Sequence, residues 1–312
     1  MKKIFFYTVV LVGIPFFVVF FWKDNSNVQI KEISLNYLSN VYVRVKRVHN
    51  NNIQSMPLEE YIVGVVAGEM PVTFEMEALK AQSVASRSYV LKRILTNSNQ
   101  EYDVVDTVSN QVYLDDNQLK ERWKDKYVEY INRIREAVND TSMQYLEYDG
   151  EVIDAMFFST SNGYTEDSGV VFSSSLPYLK SVTSEFDEEV SPAFKKTSTM
   201  SLQEFYERLN LPYDRNLKII ILERSSSHRI IKLKINGTVF LGKDVYNRLG
   251  LRSCDFSIQL LGNNVSIETK GYGHGVGMSQ YGAQGMAKNG FTYKDILSHY
   301  YVDTVLKRWE NV

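Results

Sequence analysis

Near its middle the chain reads Gln144-Tyr-Leu-Glu-Tyr-Asp-Gly-Glu-Val-Ile-Asp-Ala-Met-Phe-Phe158, in which an Asp-Gly pair separates two β-prone segments. Asp-Gly is a strong signal for a β-hairpin, because both residues tolerate the positive φ angles of a type I′ turn. Asn236-Gly237 repeats this signal between Arg229–Ile235 and Thr238–Leu241. Helical patterns separate the two hairpins, so the sequence predicts an α+β fold of mixed helices and antiparallel hairpins rather than a doubly wound parallel sheet.

Further helix and strand signals lie on both sides of this stretch. Apolar residues recur at helical spacing over about 116–138, and Pro57 and Gly68 mark the start and end of a shorter helix upstream. A stripe of small residues predicts a closely packed helix over about 75–95. The other predicted elements are a strand at 41–48, a helix at 243–249 and strands at 217–223, 255–261 and 265–269. Most of these strands fall in a strand-rich subdomain at about 185–270.

The composition describes an ordinary globular protein. The 312 residues are 44% hydrophobic and 23% charged, with a formal net charge of -2. This balance excludes a disordered chain, and it excludes a polybasic protein that binds nucleic acid through phosphate. A single cysteine, Cys254, rules out an intramolecular disulfide, and we expect it to be a small buried hydrophobic residue. With only four histidines, the chain is predicted to need no cofactor and no metal.

The N-terminus differs from the rest of the chain. The segment Ile4–Trp22 carries no charge and follows Lys2 and Lys3. At a rise of about 1.5 Å per residue, it is long enough to span most of the roughly 30 Å hydrocarbon core of a bilayer. The sequence therefore predicts a transmembrane helix at 4–22, with residues 1–3 in the cytoplasm and residues 23–312 outside. A cleaved signal peptide is the alternative, but bulky residues stand where a cleavage site would need small ones.

A first candidate for chemistry is the segment Gly68-Glu-Met-Pro71, followed by a helix that carries Lys80 and Arg87. Apolar neighbours of Glu69 would raise the pKa of its carboxyl towards the range of a proton donor, although such a lone Glu is more often a helix cap or a surface group. Lys80 and Arg87 are seven residues apart and share a helix face. That face could bind an anionic or polyhydroxyl ligand, or simply be solvated.

Two further polar segments stand out. Phe157-Phe-Ser-Thr-Ser-Asn-Gly-Tyr-Thr-Glu166 offers many hydrogen-bonding groups for a sugar, but alone it reads as a polar turn. Gly271-Tyr-Gly-His-Gly-Val-Gly-Met-Ser-Gln-Tyr-Gly-Ala283 alternates four glycines around His274. Its spacing fits neither a dinucleotide-binding nor a phosphate-binding loop. Because so many glycines are costly to order, the pattern favours a functional loop in which the backbone approaches a ligand.

At these three segments the chain resembles the stage II sporulation protein D family, membrane-anchored lytic transglycosylases of endospore-forming bacteria, and the related amidase-enhancer domain. The resemblance runs from about Met56 to Tyr301. It is densest in Gly68-Glu-Met-Pro71 with Glu77-Ala-Leu-Lys-Ala-Gln82, in Ser159–Glu166 and in Gly273–Ala283.

The resemblance implies cleavage of the peptidoglycan glycan backbone during engulfment of the forespore, by a region outside the cytoplasmic membrane at the sporulation septum. It also implies two partners, a cell-wall amidase and a membrane protein that recruits both enzymes. Glu69 matches the position of the family's catalytic acid. The other matched positions, expected to line a glycan-binding groove, are Lys80, Arg87, Ser159, Ser161, Tyr164, His274, Gln280 and Tyr281.

One segment departs from some relatives. There, the stretch that aligns with Val104–Tyr113 carries two cysteines and a histidine that bind zinc. Here neither Cys nor His occurs between His49 and His228. A zinc site of that kind is therefore excluded, and packing and hydrogen bonds must hold the segment if its local fold is kept.

Three functions stay open at this point. A lytic transglycosylase needs one carboxyl, and Glu69 would both protonate the glycosidic oxygen and accept the proton of the C6 hydroxyl. A hydrolase needs a second carboxylate, for which Glu166 is available. A non-catalytic module would use the same groove to bind glycan and activate an amidase.

Overall fold

The computed structural model describes residues 31–35, 40–172 and 174–309 of the chain. The predicted mixture of helices and antiparallel hairpins is confirmed within these ranges. The predicted membrane helix at 4–22 lies outside the described residues. None of the described helices is both long and apolar enough to cross a bilayer.

The helices form mainly in the first half and at the C-terminal end of the described chain. They are α1 (Leu58–Glu69), α2 (Met76–Thr96), α3 (Asp116–Trp123), α4 (Tyr127–Asp140), α5 (Ser168–Val171), α6 (Asp187–Val190), α7 (Leu202–Leu209), α8 (Gly242–Leu249), α9 (Gln280–Lys288) and α10 (Tyr293–Tyr300).

The strands form small sheets. They are β1 (Tyr42–Arg47), β2 (Asn52–Pro57), β3 (Val104–Val105), β4 (Gln144–Tyr148), β5 (Glu151–Val152), β6 (Phe157–Phe158), β7 (Lys195–Ser201), β8 (Ile219–Arg224), β9 (Ile230–Ile235), β10 (Thr238–Leu241), β11 (Asp255–Leu261), β12 (Asn264–Lys270), β13 (Met278–Ser279) and β14 (Val305–Arg308). Their orders are β2-β1-β3, β10-β9-β8, β11-β12-β7, β13-β6 and β14-β4-β5.

Both predicted hairpins form. Asp149 and Gly150 have φ angles of 51° and 80°, and they join β4 to β5 in antiparallel register. Asn236 and Gly237, with φ angles of 44° and 89°, join β9 to β10 in the same way. The turn residues therefore act as the local sequence predicts.

Two predicted elements are shorter than expected. The second strand of the first hairpin ends at Val152 and not at Phe158, because a turn in which the Met156 N–H donates to the Asp154 carbonyl redirects the chain. The helix predicted at 116–138 is divided into α3 and α4 by one turn of 3-10 helix at Lys124–Lys126. Lys124 has a φ angle of 50°, a left-handed conformation that interrupts the α-helical hydrogen bonds.

The larger hydrophobic core surrounds α2, which packs against α1, α4, α9, α10 and β4. Ala78, Ala81 and Ala85 are fully buried, so the predicted small-residue stripe brings neighbouring helices close to this one. Leu79 and Val84 are also fully buried, and each such side chain contributes about 1.5–3 kcal/mol relative to exposure. The packing of α2 thus fixes the positions of both its neighbours that carry candidate residues, α1 and α9.

A second hydrophobic core lies in the strand-rich region. It joins Leu233 and Ile235 of β9 to Val265 and Ile267 of β12, with Phe205 of α7 packed among them. The two three-stranded sheets and the helices α7 and α8 therefore enclose their own apolar interior.

Long-range strand pairing brings two of the candidate segments together. β6 pairs in parallel with β13, with Phe157 opposite Met278 and Phe158 opposite Ser279. Isolated bridges between Thr160 and Tyr272, and between Glu166 and Val276, extend the contact. The segment that follows β6 thus runs beside the glycine-rich loop over most of its length.

Candidate active site

Glu69 is the last residue of α1 and is partly buried. Its Oε1 accepts a hydrogen bond of 2.6 Å from the Val112 N–H. Burial raises the pKa of this carboxyl above its ordinary value, against the opposing effects of that hydrogen bond and of one from the Gln280 side chain. A carboxyl in this setting holds its proton to higher pH than a solvated one, which suits a general acid.

Gln280 and Tyr281, the first two residues of α9, connect Glu69 to the other two segments. The Gln280 side chain bonds to Glu69 and lies 3.5 Å from the Gln82 Oε1 of α2. The Tyr281 N–H donates to the Ser159 carbonyl at 3.0 Å, and the Tyr281 ring meets the Phe74 ring edge-on at 5.1 Å. Glu69, Ser159, Gln280 and Tyr281 are therefore brought into one cluster from three distant parts of the chain.

His274 is presented by the glycine-rich loop and forms hydrogen bonds with the main chain of Val276 and of Phe157. Its Nδ1 accepts from the Val276 N–H at 3.0 Å, and its ring lies 5.7 Å from Phe158 and 5.9 Å from Phe172. Burial of the ring among neighbouring residues, together with the charge of Arg229, lowers the pKa of His274 to about 4, against the opposing effect of the hydrogen bond with the Phe157 main chain. Part of the ring is open to solvent, which moderates this shift, but the imidazole is neutral at pH 7 in either case.

Two cavities meet at His274. The polar cleft, about 440 Å³, is lined by Tyr89, Arg93, Ser109, Asn110, Phe157 and His274 among others. The apolar cavity, about 260 Å³, is also lined by His274 and is described further below. Asn110 belongs to the wall of the polar cleft, and Val112, two residues further on, holds the Glu69 carboxyl. The cleft and the proposed acid are thus joined by one short loop.

Hydrogen bonds hold this loop where some relatives are expected to bind zinc. The Asn110 Oδ1 accepts from the Val105 N–H, and its Nδ2 donates to the Tyr89 hydroxyl, both at 2.9 Å. Gln111 is fully buried and accepts from the Tyr61 hydroxyl at 3.0 Å. Over the described ranges, no group of three or more His, Cys, Asp or Glu side chains is arranged to hold a metal ion.

Two predicted groove residues are buried instead. Arg87 is fully buried and forms a bidentate ion pair with Glu59, at 2.6 and 2.9 Å. Ser161 is also fully buried, and its hydroxyl donates to the Ser184 carbonyl at 3.2 Å. Neither side chain is accessible to a ligand. Arg87 and Ser161 therefore do not line the groove as predicted, and they stabilise the interior instead.

Gln280 is also buried, at 6% exposed, whereas the other predicted residues keep some exposure. Lys80 is partly exposed, and its Nζ pairs with Glu77 at 3.1 Å and with Asp140 at 2.8 Å. Because Lys80 pairs at the surface while Arg87 is buried, the helix face predicted from their spacing is not one binding face. Tyr164 is exposed and meets the His228 ring edge-on at 5.6 Å.

Glu166 is fully buried, with both carboxylate oxygens engaged. Its Oε2 accepts from the hydroxyls of Ser225 and Ser227 at 2.5 and 2.6 Å, and its Oε1 accepts from the Asp167 N–H at 3.0 Å. A base that activates water needs a free, accessible oxygen. Glu166 therefore does not suit the role of the second carboxylate in hydrolysis.

Asp187 connects separate segments of the site through hydrogen bonds, although the sequence did not indicate this role. It is fully buried and accepts from the Ser161 N–H at 2.7 Å, from the Ser184 hydroxyl at 2.6 Å and from the Ser279 hydroxyl. Burial raises the pKa of its carboxyl, against these hydrogen bonds. Asp187 begins a run of three acidic residues that reads as a solvated surface in sequence, so no local signal pointed to this position.

Cys254 is half-buried in the wall of the apolar cavity, and so is less enclosed than expected. Burial raises the pKa of its thiol to about 11. The thiol is therefore protonated at neutral pH and is a poor nucleophile.

Comparison with known proteins gives consistent matches. A family model described as stage II sporulation protein matches residues 46–148. The chain is 42% identical over 271 residues to stage II sporulation protein D of Bacillus subtilis (strain 168). The aligned region covers 85% of this chain and 79% of that protein. The chain is 43% identical over 268 residues to the protein of the same name from Bacillus amyloliquefaciens, covering 84% and 78% respectively. It is also 27% identical over 297 residues to the amidase enhancer of Bacillus subtilis (strain 168), covering 78% of this chain and 40% of that protein.

Proposed function

The chain belongs to the stage II sporulation protein D family, which acts in sporulation, and on this basis we propose that it is a peptidoglycan lytic transglycosylase. It would cleave the bond between N-acetylmuramic acid and N-acetylglucosamine during engulfment of the forespore. The observation that carries this proposal is the Glu69 carboxyl, whose pKa is raised by burial at the meeting point of the three candidate segments. Glu69 does not itself line the polar cleft, but the loop from Asn110 in the cleft wall to Val112 at the carboxyl connects the two.

The chemistry can proceed with this one carboxyl. Protonated Glu69 donates its proton to the bridging glycosidic oxygen while the bond from that oxygen to C1 of the muramic sugar breaks. The resulting carboxylate accepts the proton of the C6 hydroxyl on the same sugar, and O6 bonds to C1 to close a 1,6-anhydro ring. Glu69 ends protonated and no water is consumed. Acid–base assistance of this kind is worth roughly 10²–10⁴-fold in rate.

Neighbouring residues would divide the remaining tasks. Gln280 orients the Glu69 carboxyl through the hydrogen bond between their side chains. Neutral His274 offers an uncharged ring at the cleft, and a neutral imidazole suits a carbohydrate better than a cation would. We assign Ser159, Tyr164 and Tyr281 to glycan contacts, and Lys80 to a contact at the edge of the site, as parts of the same proposal.

The location and partners also belong to the proposal. The segment at 4–22 would anchor the chain in the cytoplasmic membrane as a single pass, with the catalytic region outside at the sporulation septum. A cell-wall amidase and a recruiting membrane protein are the expected partners.

A second candidate is supported by the similarity to an amidase enhancer. In that case the cleft would bind glycan without cleaving it, and the bound protein would activate an amidase. Glu69 would then bind or position the strand instead of transferring protons.

One experiment separates the candidates. Full-length protein is incubated with purified, peptide-free glycan strands, and the products are analysed by mass spectrometry. We expect fragments with anhydro ends, lighter by one water than reducing ends. Reducing ends would indicate hydrolysis and would contradict the proposal. Intact strands, together with faster release of stem peptides by an amidase in a parallel assay on peptide-bearing peptidoglycan, would favour the enhancer.

A further inference from the structure

The apolar cavity lies between the glycine-rich loop and the strand-rich region. One wall comes from Val170 and Val171 of α5, and the opposite wall from Ile230 and Leu241 of the β9–β10 hairpin. At about 260 Å³, it is smaller than the roughly 300–1,000 Å³ of pockets that hold whole drug-sized ligands. The cavity therefore suits a small aliphatic group and not a chain of sugars.

Arg229 lines this cavity and has an unusual environment. Its side chain is 4% exposed, and its Nη1 donates to the Ser227 hydroxyl at 2.7 Å and to the Tyr164 carbonyl at 3.2 Å. Its buried Nε has no hydrogen-bond partner. No carboxylate of the described residues pairs with this guanidinium within 4.0 Å. Buried cations are normally paired, so this positive charge is left without direct compensation.

The acidic side chain that lines the cavity already has hydrogen-bond partners on both of its oxygens. Glu166 also lines the cavity, but Ser225, Ser227 and the Asp167 main chain occupy its oxygens. A second cation, Lys243, lines the cavity and is exposed to solvent. The described residues that line the cavity thus include two cations and one anion, while Asp255, which does not line it, also acts electrostatically on Arg229.

We propose that the apolar cavity binds an aliphatic carboxylate carried by the muramic sugar, with the carboxylate towards Arg229 and Lys243 and the aliphatic part against Ile230 and Leu241. This inference rests on the proposed glycan substrate. Because His274 lines both cavities, a sugar in the polar cleft can extend a substituent past His274 into the apolar cavity. Two substituents have this chemistry, a free lactyl group and a lactyl group extended by the first amino acid of a stem peptide.

Binding measurements test the cavity without any need for cleavage. N-acetylmuramic acid, N-acetylmuramoyl-L-alanine and uncharged N-acetylglucosamine are titrated into full-length protein in detergent micelles, by calorimetry. We expect one or both carboxylates to bind at least about tenfold more tightly than N-acetylglucosamine. The tighter of the two carboxylates identifies the substituent that the cavity prefers. Equal affinity for all three sugars would overturn the proposal.

A matched pair of variants locates the binding. Leu241 and Val239 are both exposed on β10, two residues apart, but only Leu241 lines the apolar cavity. Leu241 also precedes α8 at its N-cap, a position where Asp is favoured, so Leu241→Asp is expected to fold. We expect Leu241→Asp to weaken carboxylate binding about tenfold or more, since it places a negative charge at the site. Val239→Asp adds the same charge and should leave binding within about twofold. Equal effects of the two variants would contradict the assignment.

A cleavage experiment separates this inference from the proposed function. Glycan strands whose lactyl carboxylates have been reduced to alcohols are compared with untreated strands. We expect kcat/KM to fall about tenfold on the reduced strands, with no further loss in Leu241→Asp. If both strands are cleaved equally, the cavity assignment fails while the proposed function stands. If neither strand is cleaved, the proposed function fails, and the binding titrations still decide what the cavity holds.

Discussion

The two ends of α1 each carry a glutamate within the same core, but with different neighbours. Glu59, in the first turn, is buried against the guanidinium of Arg87, which compensates its charge through two hydrogen bonds. Glu69, in the last turn, receives neutral donors only, from the Val112 main chain and the Gln280 side chain. The helix dipole favours an anion at the first position and disfavours one at the second. On one helix, therefore, a cationic partner makes one carboxyl structural, while burial with neutral partners raises the pKa of the other, as the proposed proton donor requires.

The comparison of Glu59 with Glu69 predicts that Glu69→Gln has the largest effect, on the rate of cleavage. The amide keeps the shape of the carboxyl and can accept the Val112 hydrogen bond, so the variant should fold and bind glycan. The amide has no acidic proton that it can transfer to the glycosidic oxygen, so we expect cleavage to fall by roughly 10²–10⁴-fold. The measurement is the rate of formation of anhydro ends. Glu60→Gln, at an exposed position on the same helix, is the control and should cleave normally. Unchanged cleavage by Glu69→Gln would remove Glu69 from the mechanism.

Breaking the ion pair of Arg87 and Glu59 should lower the stability of the protein instead of the rate of cleavage. Arg87→Met leaves Glu59 buried without its cation, and such losses cost about 3–5 kcal/mol. Urea unfolding followed by circular dichroism measures the change in free energy of unfolding. Lys120→Met, which removes the exposed pair with Asp116 on α3, is the control and should cost less than about 1 kcal/mol. If the two variants are equally stable, the pair of Arg87 and Glu59 is not the structural element that we describe.

A smaller effect is expected from Gln280→Leu. The Gln280 hydrogen bond favours the charged form of Glu69, so its removal should raise the pKa of that carboxyl further. Because the proposed mechanism uses the protonated form of Glu69, the alkaline limb of the kcat/KM profile should move to higher pH. A change in rate with an unmoved pH profile would mean that Gln280 acts on the substrate alone.

The smallest effect concerns the contribution of Glu69 to the stability of the folded protein. Its pKa is raised in the folded protein, so it favours the folded state below its unfolded pKa, and this contribution is lost as pH rises through the folded pKa. Glu69→Gln should therefore gain stability relative to the wild-type protein between about pH 4.5 and neutrality. Parallel unfolding curves across that interval measure the gain. A constant difference between the two proteins would mean that burial does not perturb this carboxyl.

Local chemistry explains which parts of the fold were predictable. The Asp149-Gly150 and Asn236-Gly237 turns depend on two residues each, and both form as predicted. The pairing of β6 with β13 depends on residues more than a hundred positions apart, and no local pattern encodes it. The division between α3 and α4 follows from the left-handed conformation of Lys124, a residue type that gives no warning of it.

The site was predictable as a set of segments, but not in its internal order. Glycine spacing and the motif containing Glu69 indicated where chemistry could occur. Helical spacing placed Lys80 and Arg87 on one face, yet it could not show that Glu59 draws Arg87 into the core. The role of Asp187 was hidden for a similar reason, since its partners come from two other segments of the chain.

The parallel pair of β6 and β13 has a consequence for the moment at which activity can appear. Gln280 reaches Glu69 only when Met278 and Ser279 have docked beside Phe157 and Phe158. A partly synthesised chain contains Glu69 early but lacks the residues that complete its surroundings until nearly all of the chain has emerged. The order of synthesis therefore delays completion of the proposed active site until nearly the whole chain is available to fold.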